Sequence, residues 1–261
     1  MSYKPRPISS DDIERMTKLA RIVRRESIEM IYTAGSGNPG STLSPVEMLV
    51  WLYDHELRID RKNQRWSKRD RFILSKGQAC PAYYSLFEKL GWITNDEFKK
   101  FRNFNTRLAT HPEYDSIDAI DFPSGSLGMG LSGANGMALA QRLKGHSDSR
   151  FFVMMGDGEL QEGQVWEAVM TAGHYNLYEV ILLIDRNVFQ GDRSTADLMA
   201  LDPLEDKFLS FGWDVKSLDG HNYEELFNGL NECALDKPKA IIANTIKGKG
   251  VSFMEGDNFW H

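Results

Sequence analysis

The chain has 261 residues, with 31 Lys+Arg against 37 Asp+Glu and a formal net charge of −6. This length is ample for one large α/β domain with a sizeable core, and 41% hydrophobic with 26% charged residues is the balance of an ordinary soluble globular protein. The mild acidity argues against broad nucleic-acid binding, which needs clustered positive charge, so any phosphate site must be local and built from backbone donors or a metal.

In chain order, the first predicted element is an amphipathic helix over 11–34. Ser9 or Ser10 can cap it, and Ile13, Met16, Leu19, Ile22, Val23 and Met30 recur at helical spacing. Gly35, Gly37, Pro39 and Gly40 end it in the loop GSGNPGS. A second helix is expected from Pro45 to Leu57, capped by Ser44. The polar stretch Arg58–Arg71 reads as a solvated connector. Phe72–Leu74 is a short apolar run that breaks at Ser75-Lys76-Gly77, and a helix follows from about Pro81. Residues 103–125 read as a long loop, a kind of segment that usually carries function.

The second half is regular. A glycine-rich turn, SGSLGMG, opens a helix at 131–144; Phe151–Met155 is a strand and 159–176 a helix. Val180–Ile184 is a strand, 203–211 is helical, Val215 lies in a short strand, 222–235 is helical, and Ala240–Ala243 is a strand. Strands that are continuous apolar runs and alternate with helices indicate an α/β fold, a mostly parallel sheet covered by helices on both faces. We read 1–261 as a single domain. Cys80 and Cys233 are too few for a disulfide framework, and neither has a partner at zinc spacing, so both are expected as small core or near-surface residues in a reducing compartment. The N-terminus lacks the apolar core of a signal peptide, and runs such as Val180–Ile184 are too short to span a bilayer; a cytoplasmic location is expected.

Ligands of open parallel sheets bind beyond the carboxyl ends of the strands. Two strands end in informative residues: FFVMM runs into Gly156-Asp157-Gly158-Glu159, and VILLI into Asp185-Arg186-Asn187-Val188-Phe189. The glycines let backbone approach a phosphate at a helix N-terminus. Asp157 can hold a divalent cation, and Asn187 offers a neutral oxygen at the next strand's end. One carboxylate, one amide oxygen and one backbone carbonyl, completed by phosphate oxygens, suit octahedral Mg²⁺.

Gly-Asp-Gly followed some thirty residues later by Asn resembles the thiamine diphosphate motif, and the wider context resembles the transketolase family. GDGELQEGQVWEA, IDRNVFQGD, FPSGSLGMGLSGANGMALA, RDRFILSKGQACPAYYSLFEKLG, THPE, DGHNYEEL and TIKGKGVSFME match in order, over roughly residues 12–261. The resemblance implies a thiamine diphosphate-binding fold, its diphosphate-binding domain, with thiamine diphosphate and Mg²⁺ as cofactors. It implies that Asp157 and Asn187 bind Mg²⁺ through side chains and Phe189 through its carbonyl, and that Gly156 and Gly158 approach the diphosphate. Ser126, Leu127 and Gly128 are implied to line the cofactor cleft, Leu127 by packing. Glu162 and Glu167 match an acidic pair of a glutamate network across the subunit interface; a helix-surface salt bridge is the alternative for Glu162.

Transketolases carry four histidines that contact the ketose and help move protons. His111 and His261 match two of them, while Asn38 and Gln78 stand where the other two are expected. An amide hydrogen-bonds a hydroxyl but does not titrate near neutral pH, so either the donor differs from ordinary ketose phosphates or proton transfer leans on the cofactor's amine and the remaining histidines. His221 is expected either in the cleft or as the cap of the 222–235 helix; His55, His146 and His174 are expected to be structural or at the surface. Lys247 and Lys249 either favour a diphosphate or mark a glycine-rich exit loop. The family's activating glutamate lies on a pyrimidine-binding domain beyond the point where this sequence ends. The expectation is therefore the diphosphate-binding half of a split transketolase, active with a second polypeptide, two copies of each chain forming a heterotetramer in carbohydrate metabolism; a shortened chain is the alternative. The implied reaction transfers a two-carbon ketol unit from a ketose donor to an aldehyde. The alternatives are a 2-oxo acid donor and a non-catalytic remnant of the fold.

Overall fold

A computed structural model describes residues 6–145, 148–191 and 193–261. Helix α1 (Ser10–Ala34) opens on a reciprocal cap: Ser9 accepts the Asp12 N–H, and the Asp12 carboxylate accepts the Ser9 N–H. Gly35, at φ 65°, closes it. Two short helices follow, α2 (Pro39–Leu43) and α3 (Val46–Trp51), the latter running into a π turn at Leu52–Glu56. β1 (Arg71–Leu74), α4 (Cys80–Lys89) and α5 (Asn95–Phe98) precede an irregular stretch that reaches to α6 (Met129–Leu143). Then come β2 (Phe151–Gly156), α7 (Gly163–His174), β3 (Val180–Arg186), the short pair β4 (Phe189–Gln190) and β5 (Arg193–Ser194), α8 (Thr195–Leu198), α9 (Leu204–Ser210), β6 (Asp214–Asp219), α10 (Tyr223–Asn231) and β7 (Lys239–Asn244).

The main sheet is parallel throughout, in the order β1-β2-β3-β7-β6. Side chains alternate between its faces, as a pleated strand requires. Phe152, Met154, Ile181, Leu183 and Ile241 pack with α1, α3, α4 and α10. Phe151, Val153, Leu182, Ile184 and Ile242 pack with α6, α7 and α9. The central strands β2, β3 and β7 are thus buried on both faces, which is why each reads as a continuous apolar run, whereas the edge strand β6 is largely only half-buried.

Some expectations are corrected. Pro39 starts a helix instead of extending a loop, because proline is tolerated at the first helical position. Ser44 is not the N-cap of the following helix, a position held by Pro45; its hydroxyl donates to Asp185. The 159–176 helix is two elements, a 3-10 turn at Gly158–Gln161 and then α7, separated by Glu162 in an extended conformation. Arg58–Arg71 is not simply solvated: Arg69 and Asp70 are buried, and Asp70 accepts the N–H groups of Arg58 and Arg150 at 2.9 Å each. Both cysteines are free and buried. His174 is at the surface and His55 packs on Phe227, while His146 lies outside the described residues. Among the described residues, no helix is long and apolar enough to cross a membrane.

Candidate functional site

Four neighbouring strands deliver polar residues to one end of the sheet. Ser75 and Lys76 follow β1, Gly156 ends β2 and Asp157 follows it, Asp185 lies at the end of β3 and Asn187 just beyond it, and Thr245 follows β7. Their centre is Asp185, fully buried. Lys76, also buried, forms an ion pair with it; Ser44 Oγ donates at 2.6 Å, Asn187 Nδ2 at 3.3 Å, and Thr245 Oγ1 donates as well. Burial alone would raise this carboxyl, but the Lys76 ammonium and the Ser44 and Thr245 hydroxyls hold it below the usual carboxylate range.

Above this centre lies a cleft. Asn38, Gln78, His111, Leu127, Gly156, Asp157, Gly158, Glu162, Asn187, Phe189 and His261 all line it. Asp157 Oδ1 accepts the Gly158 N–H at 2.8 Å and Oδ2 the Val188 N–H at 2.7 Å. Burial, with Asp185 nearby, pushes the Asp157 carboxyl up to about 6. The loop carrying Asn187 is strained: Val188 sits at φ 61°, a conformation β-branched residues rarely adopt and one found mostly where the surrounding structure imposes it. Asn187 Oδ1 accepts the Phe189 N–H at 3.2 Å.

Several features of the cleft fit a diphosphate ligand with a divalent cation. A Cβ placed on Gly156 meets nothing within 4 Å, so the backbone there faces open space that an approaching group can fill. Gln190 Oε1 and His111 Nδ1 are buried without a hydrogen-bond partner, and both residues line the cleft. The donor set at Asp157 and Asn187 is all oxygen, as Mg²⁺ prefers.

Not every expected residue faces the cleft. Ser126 is exposed and outside its lining, and Gly128 contributes its N–H to Glu159. His221 neither reaches the cleft nor caps a helix; its Nδ1 pairs with Glu47 at 2.8 Å and its Nε2 accepts the Ile246 N–H, while Asn222 caps α10. Lys249 pairs with Glu255 at 3.7 Å. Lys247 is buried behind the cleft wall, its Nζ 3.1 Å from His261 Nδ1 and 5.7 Å from the Phe189 ring centre; burial and Lys76 pull it down to about 8. Glu162 and Glu167 are exposed. Sequence reasoning missed Ser44, Lys76, Glu159, Asp185 and Thr245. The one available signal was an aspartate closing the apolar run VILLI, since a charge in a buried strand demands partners.

A family model described as "Transketolase, thiamine diphosphate binding domain" matches residues 15–261. The chain is 41% identical over 239 residues to the 6-deoxy-6-sulfo-D-fructose transketolase subunit SqwG of Clostridium sp. (strain MSTE9), covering 91% of this chain and 86% of that one. It is 35% identical over 240 residues to an apulose-4-phosphate transketolase subunit of Phocaeicola vulgatus, covering 91% and 85%. The solved transketolase from Leishmania mexicana superposes with a TM-score of 0.89 at 30% identity, over 98% of this chain but 39% of that one. With a family model matched over residues 15–261 and relatives above 30% identity over most of both chains, the chain belongs to the transketolase family, as a thiamine diphosphate-binding domain.

Proposed function

We propose that this chain is the thiamine diphosphate- and Mg²⁺-binding subunit of a two-component transketolase that moves a two-carbon ketol unit from a ketose to an aldehyde. The observation that carries the reading is the convergence of Asp157, Asn187, the open Gly156 backbone, His111 and His261 on one cleft at the carboxyl ends of the strands. In this reading Asp157 and Asn187 hold Mg²⁺ through side-chain oxygens and Phe189 through its carbonyl. Gly156 and Gly158 admit the diphosphate, and Leu127 packs against the cofactor. Thiamine diphosphate supplies, when bound, the nucleophilic carbon and the electron sink that cleaving a bond beside a ketone requires.

The chain's own residues then bind and position the donor. Asn38 and Gln78 hydrogen-bond its hydroxyls without titrating. Asn38 stands at the N-cap of α2 yet makes no capping bond, which leaves its amide for the cleft. His111, with Nδ1 unpartnered, and His261 hold and move protons at the ketose oxygens. A ketose donor is preferred over a 2-oxo acid because the names of both relatives specify ketose-type substrates.

Matches over 86% and 85% of proteins named as subunits support a single-domain chain, 1–261, that works with a second polypeptide. We assign to that partner the pyrimidine-binding domain and its activating glutamate, with two copies of each chain. Glu162 and Glu167 are exposed and available to such an interface. The two unpaired buried cysteines suit the reducing cytoplasm, where we place the enzyme. Calorimetric titration of thiamine diphosphate with Mg²⁺ tests the site: Asp157→Ala is expected to abolish Mg²⁺-dependent binding, and normal affinity in that variant rejects the assignment. Donor depletion measured for a ketose phosphate beside pyruvate decides the substrate class.

A further inference from the structure

Glu159 follows the Gly-Asp-Gly turn and is 3% exposed. Its carboxylate has no cationic partner within salt-bridge distance among the described residues; it is held by backbone and hydroxyl donors instead. Oε1 accepts the Gly128 N–H at 2.9 Å and the Ser75 hydroxyl, and Oε2 accepts the Gly156 N–H at 3.1 Å. Ser75 Oγ in turn accepts the Gly130 N–H at 3.2 Å. One carboxylate thus joins the end of β1, the end of β2 and the first turn of α6.

The N-terminus of α6 has no acidic residue and no side-chain cap of its own. Glu159 supplies the negative charge that the dipole and unpaired N–H groups of a helix start favour. The fit is close: a Cβ on Gly130 would lie 2.5 Å from Ser75 Oγ, and one on Gly128, at φ 85°, would lie 2.8 Å from the Glu162 side chain. Both glycines therefore permit an approach that any side chain would block.

We propose that Glu159 is a positioning residue whose carboxylate clasps the two glycine segments flanking the cleft, 125–128 and 156–158, and so sets the width of the cofactor site. The proposal rests on the cofactor reading above. An amide is the sharpest probe, because Glu159→Gln keeps size and shape but turns one acceptor into a donor that faces an N–H.

The full-length chain, in complex with its second polypeptide, is measured as wild type and as Glu159→Gln. Hydrogen exchange at the Gly128 and Gly156 amides reports the clasp, and calorimetric titration of thiamine diphosphate with Mg²⁺ reports its consequence. The variant is expected to keep its unfolding midpoint within a few degrees, to exchange at one or both of these amides at least about tenfold faster, and to bind the cofactor about ten- to a hundredfold more weakly, the range for a lost hydrogen bond to a charged group. Unchanged exchange overturns the clasp, and faster exchange with unchanged affinity overturns its positioning role. If Glu159→Gln does not fold, Ser75→Ala removes the hydroxyl that links the carboxylate to α6: faster Gly130 exchange with weaker binding supports the proposal, and unchanged affinity overturns it. A wild-type complex that binds no thiamine diphosphate instead rejects the cofactor reading, and the exchange rates still decide the clasp.

Discussion

Replacing Asp185 by Asn tests whether the centre beneath the cleft is held by charge. Asp185 is 0% exposed and Lys76 1%, so neither charge has water to fall back on. Lys76, Ser44 and Asn187 donate to Oδ2 and Thr245 to Oδ1, so the single asparagine oxygen replaces only one of the two: the Lys76 ammonium then meets either an NH₂, donor against donor, or a neutral oxygen in place of its counter-charge. An ammonium left buried without its partner destabilises a protein by about 3–5 kcal/mol, a large fraction of a total that is typically about 5–15 kcal/mol. At about 2–4 °C per kcal/mol for a chain of this size, the melting temperature should fall by about 10 °C. Urea unfolding at neutral pH measures the loss, provided the slope with denaturant stays unchanged. The double variant Lys76→Met/Asp185→Asn removes the stranded charge and should recover part of the deficit. A loss under about 1 kcal/mol for Asp185→Asn, or a double variant no better than the single, refutes the ion-pair account.

Two glycines give opposite expectations. A Cβ on Gly173 in α7 would lie 1.9 Å from the Phe211 carbonyl oxygen, so Gly173→Ala should destabilise by about 1–3 kcal/mol or more, whereas Gly136 in α6 meets nothing within 4 Å and Gly136→Ala should stabilise by about 0.5–1 kcal/mol; paired thermal melts check both. Glu56, buried beside Asp70 and Arg150, has its carboxyl pushed by burial from 4.5 up to about 7. A raised carboxyl favours the folded state fully below the unfolded value and loses that contribution as pH rises through the folded one. Between pH 4.5 and pH 8 the wild type should therefore lose stability relative to Glu56→Gln, by on the order of 3 kcal/mol, and a pH-independent difference in urea midpoints counts against it.

The central strands β2, β3 and β7 were legible because burial on both faces leaves an uninterrupted apolar run, and Asp157 and Asn187 were legible as candidates because their spacing is fixed by one β-α-β unit. What was illegible has a common cause. Ser44 donates to a residue 141 positions away, Lys76 pairs across 109, and Ser75 reaches Glu159 across 84. Nothing local distinguishes such a serine or lysine from one facing water. The helix at Pro39–Leu43 escaped for the opposite reason: its proline and glycine carried a local signal for a turn, and tertiary packing overrode it, with Gly40 buried beneath Lys247. His221 had a local signal for capping, but the neighbouring Asn222 took that role.

The strand order β1-β2-β3-β7-β6 has a consequence in time as well as in space. β6 precedes β7 in the chain but joins the sheet only through it, so the edge waits on the last strand, and Thr245 reaches Asp185 only after β7 has docked beside β3. Contacts of such sequence separation are slow to close. A refolding chain should therefore regain most of its helical signal before it can bind thiamine diphosphate, and cofactor affinity becomes a clock for the final step of assembly.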